Sequence, residues 1–218
     1  MKSILIIGMG RFGHHLCRNL AEQDNEIMIV DKSESAVEDM MSSVTSALVA
    51  DCTKEDVLKS IGVSDFDICF VCIGDDFQSN LEITCLLKEL GAKHVVSLSQ
   101  RVIHTKFLLR NGADDVIHPD KDIAERVAIE YSNDNIFDYI ELRNDYSIFE
   151  ISPMKEWIGK SLKDSNIRAK HNISIVAIKN DMGEMKVTPH AGYVIKPDDH
   201  LMIISRKSDI ESIIGKLK

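Results

Sequence analysis

The 218-residue sequence predicts an α/β protein, a doubly wound parallel sheet followed by a small α+β domain. Three observations carry that prediction. Short apolar runs alternate with helical patterns as far as about residue 120, the rhythm of βαβ units. The first run, Ile4-Leu5-Ile6-Ile7, leads directly into Gly8-Met9-Gly10-Arg11-Phe12-Gly13. From Ile136 onward the rhythm changes to alternating segments separated by turn signals.

The glycine turn carries the chemistry. Gly8 lets the chain leave the strand sharply, Gly10 lets a phosphate approach the backbone, and Gly13 lets the next helix pack close to the sheet. That helix (Leu16, Cys17, Leu20, Ala21) begins where phosphates would sit, offering unpaired N–H groups and a positive dipole end. A second run, Ile27 to Val30, ends on Asp31, where a carboxylate can accept both hydroxyls of a ribose. Strand, glycine turn, helix, strand and acid together form the dinucleotide-binding fingerprint of a Rossmann unit. Asp31 disfavours a 2′-phosphate. It leaves NAD and ATP or ADP as alternatives, because each carries an adenosine ribose with free hydroxyls.

The remaining elements follow in order. Ser35 and Glu38 have the spacing of a capping box for a short helix. Ala47 to Ala50 form the third strand, ending on Asp51-Cys52, and Thr53 precedes a helix (Val57, Leu58, Ile61) stopped by Gly62. The fourth strand, Ile68 to Ile73, runs into Gly74-Asp75-Asp76. Leu81, Ile83, Cys85, Leu86, Leu87 and Leu90 mark a helix closed by Gly91. His94 to Leu98 form the fifth strand, Val102 to Arg110 a helix, and Asp115 to His118 the sixth strand. Ligands of such sheets lie beyond the carboxyl ends of the strands. The candidate contacts are therefore Gly8 to Gly13, Asp31, Asp51-Cys52 and Gly74-Asp75, with Ser99 and Gln100 beside them. Asp51 and Asp75 equally suit a role as loop or helix caps.

An amphipathic helix from Asp120 to about Asn133 leads into the second domain. The expected division is 1–135 and 136–218. Tyr146 to Ile151, Ile173 to Lys179, Glu184 to Thr188 and His200 to Ser205 are its strands, and a final helix runs from about Asp209 to Leu217. Its roughly 80 residues are near the lower limit for a stable core, so association with another copy would help it bury apolar surface.

Composition narrows the function. A net charge of −9, with Lys and Arg scattered, disfavours nucleic acid as a partner. No apolar run approaches the roughly 20 residues of a membrane span, and Met1-Lys2 leads straight into a strand, so a cytoplasmic protein is expected. Cys69-Phe70-Val71-Cys72 has CxxC lettering inside a strand, where positions three apart face opposite sides of the sheet. Those thiols are expected to be buried and apolar. No His, Lys or Tyr group stands placed for proton transfer, and Tyr131 and Lys121 have the wrong order for a Tyr-x-x-x-Lys pair. The pattern points to a nucleotide sensor rather than an enzyme. The alternatives are a small NAD-dependent oxidoreductase and a regulator of another cation transporter or antiporter.

Several stretches carry a resemblance: Ile6 to Gly13, Val30-Asp31, Phe70 to Gly74, Lys88 to Gly91, and Gly112 to Asp120. Together they resemble the RCK (KTN) regulatory subunits of potassium transport. Ile167-Arg168-Ala169-Lys170 followed by Ile175 to Lys179 is similar to the C-terminal domain of that family. With one such unit instead of the tandem pair of Trk-type subunits, the chain is similar to the single-unit Ktr type.

The resemblance implies a cytoplasmic subunit at the inner face of the cell membrane, partnered with a membrane-embedded potassium-translocating subunit. It implies dimers assembled into an octameric ring, whose shape and gate respond to ATP and ADP, with NAD(H) as the alternative ligand. By the same resemblance Gly8, Gly10 and Gly13 hold the phosphates, Asp31 the ribose, and Phe12 and Lys32 lie alongside. Arg11 pairs with a terminal phosphate of its own or a neighbouring subunit's nucleotide. Asp51 and Cys52 lie near the adenine, and Gly74 and Asp75 complete the set. Asp120 stands where relatives often have a glutamate that helps hold a cation between phosphates. Ile167, Arg168 and Ala169 match part of a cyclic di-AMP site.

Overall fold

In the computed structural model, which describes residues 1–142 and 145–214, the six N-terminal apolar runs form one parallel sheet. Its strands are β1 (Ser3–Ile7), β2 (Glu26–Asp31), β3 (Ser46–Val49), β4 (Ile68–Val71), β5 (Val95–Leu98) and β6 (Asp115–Ile117), in the order β3-β2-β1-β4-β5-β6. Their connections are the helices α1 (Arg11–Ala21), α2 (Glu34–Glu38), α3 (Glu55–Ile61), α4 (Phe77–Glu89) and α5 (Val102–Arg110). The chain winds outward from β1 to β3, then returns to β4 on the other side of β1. The switch point between β1 and β4 opens a crevice at the carboxyl ends.

Both faces of this sheet are covered. Along β1, Ile4 and Ile6 join one core with Ile27, Ile29, Cys17 of α1 and Val37 of α2. Leu5 and Ile7 join the other, with Val71, Leu58 of α3, and Ile83 and Leu87 of α4. The two-residue period of a strand assigns these sides. The expectation for the CxxC letters holds: Cys69 belongs to the second core and Cys72 to the first, both as buried free thiols.

One local expectation is corrected. Ser33, not Ser35, caps α2, its Oγ accepting from Ala36 N at 3.4 Å. The Ser33 N–H also donates to Asp31 Oδ1 at 2.8 Å, which joins the cap to the end of β2.

The chain forms two compact units, Met1–Lys121 and Asp122–Lys218. Most of helix α6 (Pro119–Tyr131) falls in the second unit, ahead of the expected division at 135/136. Ile129 packs on that unit's core, Arg126 Nη2 reaches Asp138 Oδ1 at 3.1 Å, and Lys207 Nζ reaches Glu125 Oε1 at 2.9 Å.

The second unit is built on an antiparallel sheet of order β10-β9-β11-β8-β7. Its strands are β7 (Ile136–Glu141), β8 (Tyr146–Ile151), β9 (Ser174–Lys179), β10 (Met185–Val187) and β11 (His200–Arg206). One face buries Phe149, Ile151, Leu201 and Ile203 against Trp157. Two short helices, α7 (Leu162–Ser165) and α8 (Ile167–His171), follow β8, and α9 (Lys207–Ile214) closes the unit with Ile210 and Ile213. The last helix starts at Lys207 instead of Asp209, and its expected end at Leu217 lies outside the described residues. Among the described residues no helix is long and apolar enough to cross a membrane.

Candidate functional site

The glycine turn adopts the shape that its residues require. Gly8 has φ +96°, and a Cβ there would stand 2.9 Å from Ile73 Cγ1 and 3.2 Å from the Cys72 carbonyl carbon. Gly8 N donates to Val30 O at 2.9 Å, and Cys72 N donates to Ile7 O at 2.7 Å, so the turn is threaded between β2 and β4. A Cβ on Gly13 would overlap the Gly8 carbonyl oxygen. That contact is the close approach of α1 to the turn. Gly10 differs from both: a Cβ there would meet nothing within 4 Å. It is exposed, and no side chain caps the helix at this position. The first N–H groups of α1 therefore have no partner within the helix.

Asp31 sits half-buried at the end of β2. Its Oδ2 accepts the Met9 N–H at 2.6 Å, and its Oδ1 accepts the Ser33 N–H at 2.8 Å. Each carboxylate oxygen keeps a further lone pair for a ligand hydroxyl.

A cavity of about 290 Å³ opens over the carboxyl ends of these strands. Gly8, Gly10, Asp31 and Lys32 line it on the β1–β2 side. Asp51 and Cys52 line it at the end of β3, and Gly74 and Asp75 at the end of β4. Eight of the predicted residues thus meet in one place. Arg11, Phe12 and Gly13 do not line the cavity. Arg11 begins α1, exposed; Phe12 packs against the core beside Cys17; Gly13 is buried against the turn.

Four carboxylates, Asp31, Asp51, Asp75 and Asp76, face one ammonium, Lys32. Hydrogen bonds from the Thr53 hydroxyl (2.7 Å) and Thr53 N–H (3.0 Å) hold the Asp51 carboxyl below its usual range. The Ser79 hydroxyl and N–H do the same for Asp76, which caps α4. Burial, with Asp51 and Asp31 alongside, pushes the Cys52 thiol up to about 12, so it is a neutral apolar wall at physiological pH.

Sequence reasoning missed much of the lining. Ile7, Val30, Cys72, Ile73 and Ile83 supply apolar wall, and Thr53, Asp76 and Ser79 supply polar groups. The signal for Asp76 and Ser79 was present as a capping spacing at the start of α4. Ser99 is buried and Gln100 exposed, and neither lines the cavity.

The other predicted residues lie apart from it. Asp120 is exposed in the first turn of α6. Among the described residues no three or more His, Cys, Asp or Glu side chains are placed to hold a metal ion together. In α8, Ile167 is a core residue, while Arg168 and Ala169 are exposed.

Comparisons with known proteins agree with this architecture. The TrkA-N domain model matches residues 4–119 and the TrkA-C domain model matches residues 146–218. The chain is 38% identical over 209 residues to the Ktr system potassium uptake protein C of Bacillus subtilis, covering 96% of this chain and 94% of that protein. It is 36% identical over 210 residues to the Ktr system potassium uptake protein A of the same organism, with the same coverage. Among solved structures, the GsuK RCK domain superposes with a TM-score of 0.69 at 17% identity, covering 99% of this chain and 47% of that one. A GsuK channel bound to NAD superposes with a TM-score of 0.70 at 17% identity, covering 100% of this chain and 39% of that one. These two likenesses establish the fold. Matched by both domain models, and similar to two Ktr proteins along nearly its whole length, the chain belongs to the TrkA-N/TrkA-C family of potassium uptake proteins.

Proposed function

We propose that the chain is a nucleotide-binding regulatory subunit of a potassium transporter. The observation that carries this reading is the cavity at the switch point, lined by the open backbone of Gly10, the residue before α1, and by the carboxylate of Asp31. Phosphates would lie against the α1 N–H groups, a ribose against Asp31, and adenine beside Asp51 and Cys52. ATP and ADP are the favoured ligands. NAD(H) fits the same adenosine contacts, and the related GsuK channel bound to NAD supports keeping it.

Regulation requires a ligand to bind two states with different affinity. In this reading the subunits form a homo-oligomeric ring, built from dimers, beneath a membrane-embedded potassium-translocating subunit at the inner face of the membrane. Arg11 stands exposed beside the phosphate end and outside its own cavity, which suits contact with a neighbouring subunit's nucleotide. Asp120, exposed and outside its own chain's cavity, offers one carboxylate to a cation held between the phosphates of two subunits' nucleotides. Arg168, exposed on α8, offers a guanidinium to a cyclic di-AMP phosphate at the interface of two C-terminal units.

Potassium flux into proteoliposomes that hold the translocating subunit and this chain tests the reading. Flux should change between ATP and ADP. Equal flux with either nucleotide, with NADH and with none would overturn it.

A further inference from the structure

Helix α4 runs along the sheet with Asn80, Ile83, Thr84 and Leu87 on its buried side. Two of those four are polar, and Asn80 is 1% exposed. A buried amide without partners is costly, and this one has partners at both its nitrogen and its oxygen. Asn80 Nδ2 donates to Ile73 O at 2.7 Å and to Leu98 O at 2.9 Å. Its Oδ1 accepts from Thr84 Oγ1 at 3.3 Å, and that hydroxyl pairs with Ser97 Oγ at 2.8 Å.

The two carbonyls sit at informative places. Ile73 lines the cavity and is followed by Gly74 and Asp75, which also line it. Leu98 ends β5. One amide therefore ties the turn after β4 to the end of its neighbour. A second tie runs outside: Gln100 Nε2 donates to Asp75 Oδ1 at 2.9 Å. The packing between them is close, since a Cβ on Gly74 would stand 3.1 Å from Gln100 Nε2 and 3.4 Å from Leu98 Cδ2. Neither Asn80 nor Gln100 lines the cavity.

We propose that Asn80 is a positioning residue of the nucleotide cavity, holding the Ile73–Asp75 turn against β5 from beneath while Gln100 holds Asp75 from outside. The proposal rests on the nucleotide reading of that cavity. An asparagine is suited to this place because only a primary amide gives two hydrogens to two carbonyls and still accepts a third bond. In metal sites, residues that orient the ligating groups change affinity by about tenfold or more when lost, and the same scale is expected of a residue that holds a nucleotide-binding turn.

The test is calorimetric titration of the full chain with ADP, in four forms: unaltered, Asn80→Ala, Gln100→Ala and Val63→Ala. Val63 is buried before β4, where its carbonyl accepts from Cys69 Sγ at 3.9 Å, and it neither lines the cavity nor bonds to the turn, so its truncation lowers stability without removing a tie of the turn. Asn80→Ala should weaken ADP about tenfold and Gln100→Ala about threefold, while Val63→Ala binds as the unaltered protein does. Equal affinity in Asn80→Ala and the unaltered protein overturns the proposal, as does a Val63→Ala loss as large as that of Asn80→Ala. If Asn80→Ala fails to fold, Gln100→Ala decides, because Gln100 is exposed: weakened binding supports the tie and unchanged binding refutes it. Absence of ADP binding by the unaltered protein removes the cavity reading itself.

Discussion

The Met9 N–H donates to Asp31 Oδ2 at 2.6 Å, joining the middle of the glycine turn to the acid that ends β2. The fingerprint acid is therefore also the anchor of the fingerprint loop. In the cavity reading, Asp31→Ala removes a ribose acceptor and frees the phosphate cradle in one step. It should weaken ATP, ADP and NADH together, by about tenfold or more, the scale of a lost bond to a charged group. Fluorescence or calorimetric titration checks it, and unchanged affinity would show the site misplaced.

The glycines of the turn should separate stability from binding. A Cβ on Gly13 overlaps the Gly8 carbonyl oxygen, so Gly13→Ala should destabilise the first unit by about 1–3 kcal/mol. A Cβ on Gly10 meets open space and its φ is −66°. Gly10→Ala should keep the melting temperature and weaken phosphate-bearing ligands. Denaturation curves and titrations on the two variants test the contrast.

Arg11 is exposed at the start of α1 and does not line the cavity of its own chain. If it reads a terminal phosphate across a subunit boundary, Arg11→Ala should weaken ATP more than NADH. Competition titrations would reveal equal losses if the arginine has no such role.

How much of this was legible in the sequence differs by element. The period of two in β1, the glycine turn and the spacing to Asp31 announced the first sheet and its crevice, because each is a local pattern. Asn80 was hidden, since a polar residue inside a helix shows its value only when the two carbonyls it meets are known. Ser33 and Ser35 both suit a cap by spacing alone, and the bond from the Ser33 N–H to Asp31 that joins turn and strand shows only in the fold. That α6 is held in the second unit was not legible either, because its ties to Asp138 and Lys207 appear only on folding. The apolar half of the cavity, Ile7, Val30 and Ile83 among it, was indistinguishable from core.

The second unit supplies a pH prediction. Burial raises the Glu150 carboxyl, but hydrogen bonds from His200 Nδ1 at 2.7 Å and Lys179 Nζ at 3.2 Å outweigh it and leave it below its ordinary range. A carboxyl lowered on folding stabilises the fold above its unfolded value, and that stability is lost as pH falls through the folded value. Melting temperature should fall with acid below the ordinary glutamate range, and Glu150→Gln should flatten that limb. An identical acid limb in both proteins would contradict the assignment.

The most direct test is calorimetric titration of nucleotide-stripped protein with ATP, ADP, NADH and cyclic di-AMP. Binding of ATP and ADP, weakened by about tenfold or more in Asp31→Ala and accompanied by different ring shapes in small-angle scattering, is the predicted result. Absence of binding by every adenosine ligand would contradict the account and leave the glycine turn as scaffold.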